Sequence, residues 1–270
     1  MMSALRRIGP LTVIALQDAE GPHFDRREDA IPGATGDQWA AADRFDPGAR
    51  AEDGRWWLRF RSFAIRYGDS GPVTLVDAGI GPAHSLAADW APVPGQLPEE
   101  VAAAGIAAED VEAIVLTHLH TDHIGWAVPA DSPFTNARVV VQRADVEAYA
   151  AASAWSRQEE VLLEPLRRLG RLHVVDGDTE LGPGKKIIFT PGHTPGHQSV
   201  LVEGGGDSLL ITGDLLVHAV QLVDPSLAYG HDMDADLARI SRHAALTTAR
   251  TGDSWLAVSH LGQPYCRTEA

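Results

Sequence analysis

Apolar residues fall along this chain in short, dense runs separated by polar stretches. Leu11–Leu16, Val73–Val76, Ile114–Leu116, Val139–Val141, Ile187–Phe189, Leu209–Ile211 and Leu256–Val258 are each rich in Val, Ile or Leu. Runs this short without a polar alternate residue predict strands buried on both faces. Between them lie segments with helix signals. Pro98-Glu99-Glu100 opens one, with proline in the first turn and acids near the positive helix end. Arg143 to Leu169 reads as helical material, with Pro165 expected to break or kink it. Asp234 to Thr248 reads as a further helix, with Asp234 as N-cap. Gly204-Gly205-Gly206-Asp207 reads as a hairpin turn. The segment 21–55 is rich in Gly, Pro, Asp and Ala with weak periodicity, and is expected to be a long loop that covers a site.

The chain has 270 residues and 44% hydrophobic composition, enough for one large core. Residues 1–270 are expected to form a single domain. The formal net charge of -15 argues against a nucleic-acid partner, which calls for a basic surface. Cys266 is the one cysteine, so an intramolecular disulfide and a thiolate metal cluster are both excluded. The run Leu11–Leu16 is too short for a signal peptide or a membrane span and lacks a cleavage site behind it. A cytoplasmic protein without membrane contact is the expectation.

Chemistry concentrates at the ends of the apolar runs. His118-Leu119-His120-Thr121-Asp122-His123 directly follows Ile114–Leu116. Imidazole and carboxylate are the ligands zinc accepts in the absence of cysteine, and two adjacent metal positions are geometrically reasonable. His193 follows Ile187–Phe189, Asp214 follows Leu209–Ile211, and His260 follows Leu256–Val258. Strand ends facing one way would bring all of these to one rim.

On these residues the chain resembles the metallo-β-lactamase superfamily, whose HxHxDH motif is followed by a separated His, Asp and His. The resemblance runs from about Val73 to His260 and takes in Asp77 as the family's early strand-end Asp. It implies an α/β fold, the four-layer αβ/βα sandwich, with a metal site at one edge. It implies one metal on His118, His120 and His193, a second on Asp122, His123 and His260, and Asp214 between them. Two divalent ions are implied, with Zn2+ favoured and Mn2+, Fe2+ or Co2+ as alternatives. A hydroxide shared by the metals would attack a small ester, lactone or related carbonyl substrate, and Asp122 would help move the proton. His197 is expected to be structural.

Thr212 to Gln221 resembles the methyl-parathion-hydrolase-like branch, where a His and a Gln follow the bridging Asp, here His218 and Gln221. Homoserine lactonases of the family carry a Tyr three positions after that Asp, where this chain has Val217. Phosphotriester or thioester hydrolysis, or persulfide oxidation on a single iron, are the alternatives. Trp126, Trp57 and His218 are expected to bind substrate, with Trp56 and Phe60 beside them. His23, His84, His173, His231 and His243 carry no motif and are expected to be structural or exposed. A homodimer is compatible with the family.

Overall fold

The computed structural model describes residues 4–68, 70–151 and 156–268. Among these residues the strands form two sheets. The first contains, side by side and in chain order, β1 (Leu5–Ile8), β2 (Leu11–Pro22), β3 (Trp57–Tyr67), β4 (Val73–Val76), β5 (Val111–Val115), β6 (Arg138–Gln142) and β7 (Leu172–Val175). β1 to β4 pair antiparallel, and β4 to β7 pair parallel. The second is built from β8 (Thr179–Gly182), β9 (Lys185–Phe189), β10 (Gln198–Gly204), β11 (Asp207–Ile211), β12 (Trp255–Ala257) and β13 (Tyr265–Cys266). Its spatial order is β13-β12-β11-β10-β9-β8, with β11 and β12 parallel.

Side chains on successive strand residues point to opposite faces, and in this chain both faces are covered. Val13, Phe63, Val76 and Val115 meet Ile187, Val200, Leu209 and Ile211 between the sheets. Their neighbours Ile14, Leu75 and Ile114 turn outward onto Leu97, Val101, Leu162 and Leu166. Leu210 and Leu256 leave the second sheet on its far side, toward Leu246 and Ala249 of the helix Ala235–Thr251. This explains the unbroken apolar runs, because each strand serves two cores. Each fully buried Leu, Ile or Val contributes about 1.5–3 kcal/mol. The result is a four-layer α/β sandwich.

The helix signals hold locally. Leu97–Ala103 carries Pro98 in its first turn. Asp234 caps Ala235–Thr251 by accepting from the Leu237 N–H at 3.0 Å. Pro165 does not break its helix. It follows a turn, Glu159–Leu163, that is wider than an α-helical one, so the helix is distorted ahead of the proline rather than ended by it. The segment 21–55 departs furthest from expectation. It continues β2 to Pro22 and then forms the helix Gly36–Phe45. Thr35 and Gln38 cap that helix reciprocally, and it buries Trp39 and Ala42.

Candidate metal centre

Five strand ends deliver the cluster and its support. β4 ends at Val76 and presents Asp77. β5 ends at Val115, and the chain then turns through His118 and His120 into the short helix Thr121–Ile124. The loops after β9, β11 and β12 bring His193, Asp214 and His260. The β4 and β5 loops are stitched together, with Ala78 N–H donating to His123 O at 2.7 Å and Trp126 N–H to Ala78 O at 2.8 Å. Beside the cluster, Gly192 and Gly213 leave no room for a side chain. At Gly192 (φ 132°) a Cβ would lie 2.0 Å from Ala238 N. At Gly213 (φ 53°) it would lie 2.7 Å from the Thr117 Cβ. Gly192 precedes His193 and Gly213 precedes Asp214, and both let backbone pass where a side chain could not.

Two sets of donor atoms converge. His118, His120, His193 and Asp214 form one, and Asp122, His123 and His260 form the other, the atoms of each lying within 4.8 Å of one another. Asp214 faces both. One of its oxygens lies 3.4 Å from His193 Nε2, and the other lies 3.2 Å from His123 Nε2 and 3.0 Å from His260 Nε2.

The far side of each ring shows what these sets are built for. His123 Nδ1 lies 2.8 Å from Asp77 Oδ2, His193 Nδ1 3.0 Å from Asp232 Oδ1, and His260 Nδ1 2.7 Å from the Arg59 carbonyl. Carboxylate and carbonyl oxygens only accept, so each Nδ1 carries the proton and each Nε2 presents a lone pair. His118 follows the same rule through Thr117. The Thr117 hydroxyl donates to Asp77 Oδ2 at 3.0 Å and accepts from His118 Nδ1 at 3.0 Å. Asp77 thus orients two rings, and its own backbone sits at a positive φ of 60°, a strained conformation for a non-glycine residue.

The inward nitrogens crowd. His120 Nδ1 lies 2.9 Å from both His118 Nε2 and His193 Nε2. His123 Nε2 and Asp214 Oδ1 are buried with no hydrogen-bond partner. Lone pairs held this close repel unless a cation lies among them, so the residues fit a pair of metal ions, with the outer oxygens in the role of orienting partners. Burial pushes the His118 and His120 imidazoles down, His120 to about 3. Burial pushes the Asp214 carboxyl up, but His260 and His123 beside it prevail and hold it well below its usual range.

The cluster floors a cavity of about 320 Å³ into which His120, Asp122, His193, Asp214 and His260 open. Its other wall is aromatic, made by Phe24, Trp56, Trp90 and Tyr229, with His23, His231 and Val217. Trp90 is pinned to the metal motif by an Nε1–H to Thr121 Oγ1 bond of 3.0 Å. The expected substrate contacts lie elsewhere. Trp126 points away and donates from Nε1 to Asp18 Oδ1 at 3.1 Å. Of the adjacent tryptophans Trp56, not Trp57, lines the cavity, because neighbours on a strand edge face opposite ways. His218 stands behind Trp56, ring centroids 5.4 Å apart, and its Nδ1 accepts from Val220 N–H. Phe60 also stands back, packed edge-on to Trp90 and His260. His197 bonds through Nδ1 to Thr190 and belongs to neither donor set. His23 and His231, expected to be structural or exposed, line the cavity. No local pattern marks them, since they meet only when residues 23 and 231 come together in the fold.

The sequence pattern defining the metallo-beta-lactamase superfamily matches residues 59–260. The chain belongs to that superfamily. An N-acyl homoserine lactonase of Bacillus cereus is 34% identical over 139 residues, 51% of this chain and 52% of that protein. The N-acyl homoserine lactonase AttM of Rhizobium radiobacter is 35% identical over 124 residues, 43% of this chain and 45% of that protein. The chain spans about half the length of the curated relatives it matches. Among solved structures, the hydrolase AbOPH superposes with a TM-score of 0.80 at 23% identity, covering 97% of this chain and 91% of that one. AidC, described as a dizinc quorum-quenching lactonase, superposes with a TM-score of 0.77 at 21% identity, covering 97% and 92%. At these identities the superpositions establish the shared fold.

Proposed function

We propose that this protein is a hydrolase that holds two divalent metal ions, zinc favoured, and opens a small lactone or ester. The observation that carries the reading is the convergence of imidazole lone pairs on Asp214, with the far ring nitrogens committed to acceptors. His118, His120 and His193 would hold one ion, Asp122, His123 and His260 the other, and Asp214 would reach both. Such a pair acidifies water and stabilises negative charge on a reacting oxygen. The protein's own residues do the rest. Asp77, Asp232 and the Arg59 carbonyl keep the rings in the binding tautomer. Asp122 opens into the cavity beside the cluster, where its carboxylate can hold a proton taken from water. Phe24, Trp56 and Trp90 exclude water and receive the apolar part of a substrate.

A lactone is the favoured class because the curated relatives named above are N-acyl homoserine lactonases. The aromatic wall favours a second reading, an aryl ester or aryl phosphotriester. Zinc-loaded protein assayed against acyl-homoserine lactones, aryl esters, thioesters, phosphotriesters and β-lactams decides between them, with His120→Ala as control. Turnover of a lactone above the control supports the proposal. No turnover of any of these above the control overturns it.

A further inference from the structure

Beside the metal cluster the cavity is lined by a second polar group, His23, Tyr229 and His231, with Asp25 paired to His231. His23 and Asp25 follow the end of β2, and Tyr229 and His231 precede the helix Ala235–Thr251. His231 Nε2 lies 3.1 Å from Asp25 Oδ2. The backbone N–H of Asp25 points at His23 Nδ1 from 3.0 Å. The Asp25 carbonyl lies near the same nitrogen at 3.4 Å. An N–H only donates, so the shorter contact requires a lone pair on Nδ1, and a proton there would be opposed by the N–H aimed at it. Burial pushes the His23 imidazolium down to about 4, so the ring is neutral at physiological pH. A neutral imidazole with bare Nδ1 carries its proton on Nε2. His23 Nε2 faces Tyr229 Oη at 3.3 Å. The ring therefore donates and the phenol oxygen accepts, which leaves the phenol proton for another acceptor.

Tyr229 is held for that purpose from its other side. Its ring lies nearly parallel to His193, with centroids 5.9 Å apart and planes at 16°. Its backbone N–H donates to Asp232 Oδ2 at 3.1 Å, and the other oxygen of Asp232 holds His193. One carboxylate thus sets both the cluster histidine and the tyrosine over it.

We propose that Tyr229 binds substrate in this cavity by donating its hydroxyl proton in a hydrogen bond to a substrate carbonyl oxygen, with His23 as the positioning residue that forces the phenol into the donor role. The proposal rests on the hydrolase reading above and adds to it a residue outside the metal motif.

The test uses zinc-loaded full-length protein with N-hexanoyl homoserine lactone and 4-nitrophenyl acetate as probes. Tyr229→Phe should lower kcat/KM about 2–10-fold, the worth of one neutral hydrogen bond, with zinc content unchanged. His23→Leu should do the same. His23→Gln, whose side-chain amide donates from the place of Nε2, should recover most of that loss. The double variant Tyr229→Phe/His23→Leu should fall no further than Tyr229→Phe alone, because the two act as one unit. Nitrogen-15 NMR of the His23 ring, read without substrate, should show Nε2 protonated and Nδ1 bare. A protonated Nδ1, a silent Tyr229→Phe, a His23→Gln no better than His23→Leu, or a fully additive double variant each overturns the proposal while leaving the hydrolase reading intact. Failure of the wild-type protein to turn over either probe or any other substrate of the panel overturns both.

Discussion

The cavity has two walls, and they are made by different means. The metal-facing wall is short-range chemistry on rigid supports. His118 to His123 leave one strand end together, and His193, Asp214 and His260 leave three others. Every ring but His120 has its outer nitrogen tied to an oxygen within 3.0 Å. The facing wall is assembled from distant pieces, with Phe24 and His23 from beyond β2, Trp56 before β3, Trp90 from a loop, and Tyr229 and His231 from before the last helix. Its contacts are mainly ring packing, such as Phe24 on Trp90 at 5.7 Å and Trp56 on Tyr229 at 6.0 Å. The first wall carries the two donor sets of the candidate metal centre. The second stands outside those sets, and we propose that its side chains select among substrates.

Substitutions should separate the walls. The largest effect is expected at the ligands. His120→Ala or Asp214→Ala should abolish zinc binding at that position and hydrolysis with it, measured by metal analysis and turnover, and chelator should reproduce the loss in the wild type. Retained stoichiometric zinc in both variants would refute the ligand assignment.

Next comes the buttress behind the aromatic wall. Burial pushes His218 down to about 3, whereas an unfolded imidazole titrates near 6.5. Its folded pKa is depressed, so the neutral ring contributes stability that is complete above pH 6.5 and is lost as pH falls toward 3. Between pH 6.5 and 4 the loss should be about 3 kcal/mol. His218→Asn keeps an acceptor for Val220 N–H but takes up no proton. Urea unfolding at the two pH values should show the wild type losing about 3 kcal/mol more than this variant.

A smaller change is expected at Asp77. Asp77→Asn removes a carboxylate that orients His123 directly and His118 through Thr117, and zinc affinity should fall roughly 10–100-fold with the fold intact. Competition with a chromophoric chelator measures it. The mildest effect belongs to the rim. Phe24 is 58% exposed, so Phe24→Ala should leave melting temperature and zinc content alone. It should raise KM for an apolar substrate about 2–10-fold.

What could be read from the chain follows the same division. The strands were legible where both faces are buried, as in Val73–Val76, because continuous apolar residues need no partner to be noticed. β3 was not, since Arg59, Arg61 and Arg66 interrupt its pattern. Arg61 is buried nonetheless, donating to the carbonyls of Leu261 and Gly262. The helix Gly36–Phe45 hid in an alanine- and aspartate-rich stretch whose cap, Thr35 with Gln38, was its one local signal. The convergence of the donor residues was legible because they are contiguous or placed after apolar runs. The facing wall was not, and Trp126 and Trp57 were misplaced there. Nearness in sequence to the cluster says nothing about which way an indole points, and Trp126 finds its acceptor in Asp18 instead.

Asp18 bears on any effort to rebuild this protein. It is the extra residue of a bulge in β2, between Gln17 and Ala19. From there its carboxylate accepts from Ile80 N–H at 2.6 Å, Leu97 N–H at 2.7 Å and the Trp126 indole. The strand that leads out to His23 and Phe24 is therefore moored at this point to the loops beside the metal motif. A designer who exchanges the segment carrying His23 and Phe24 should place the junction after Ala19 and keep the bulge. A graft begun upstream would carry off the mooring of the metal loops along with the part meant to be exchanged.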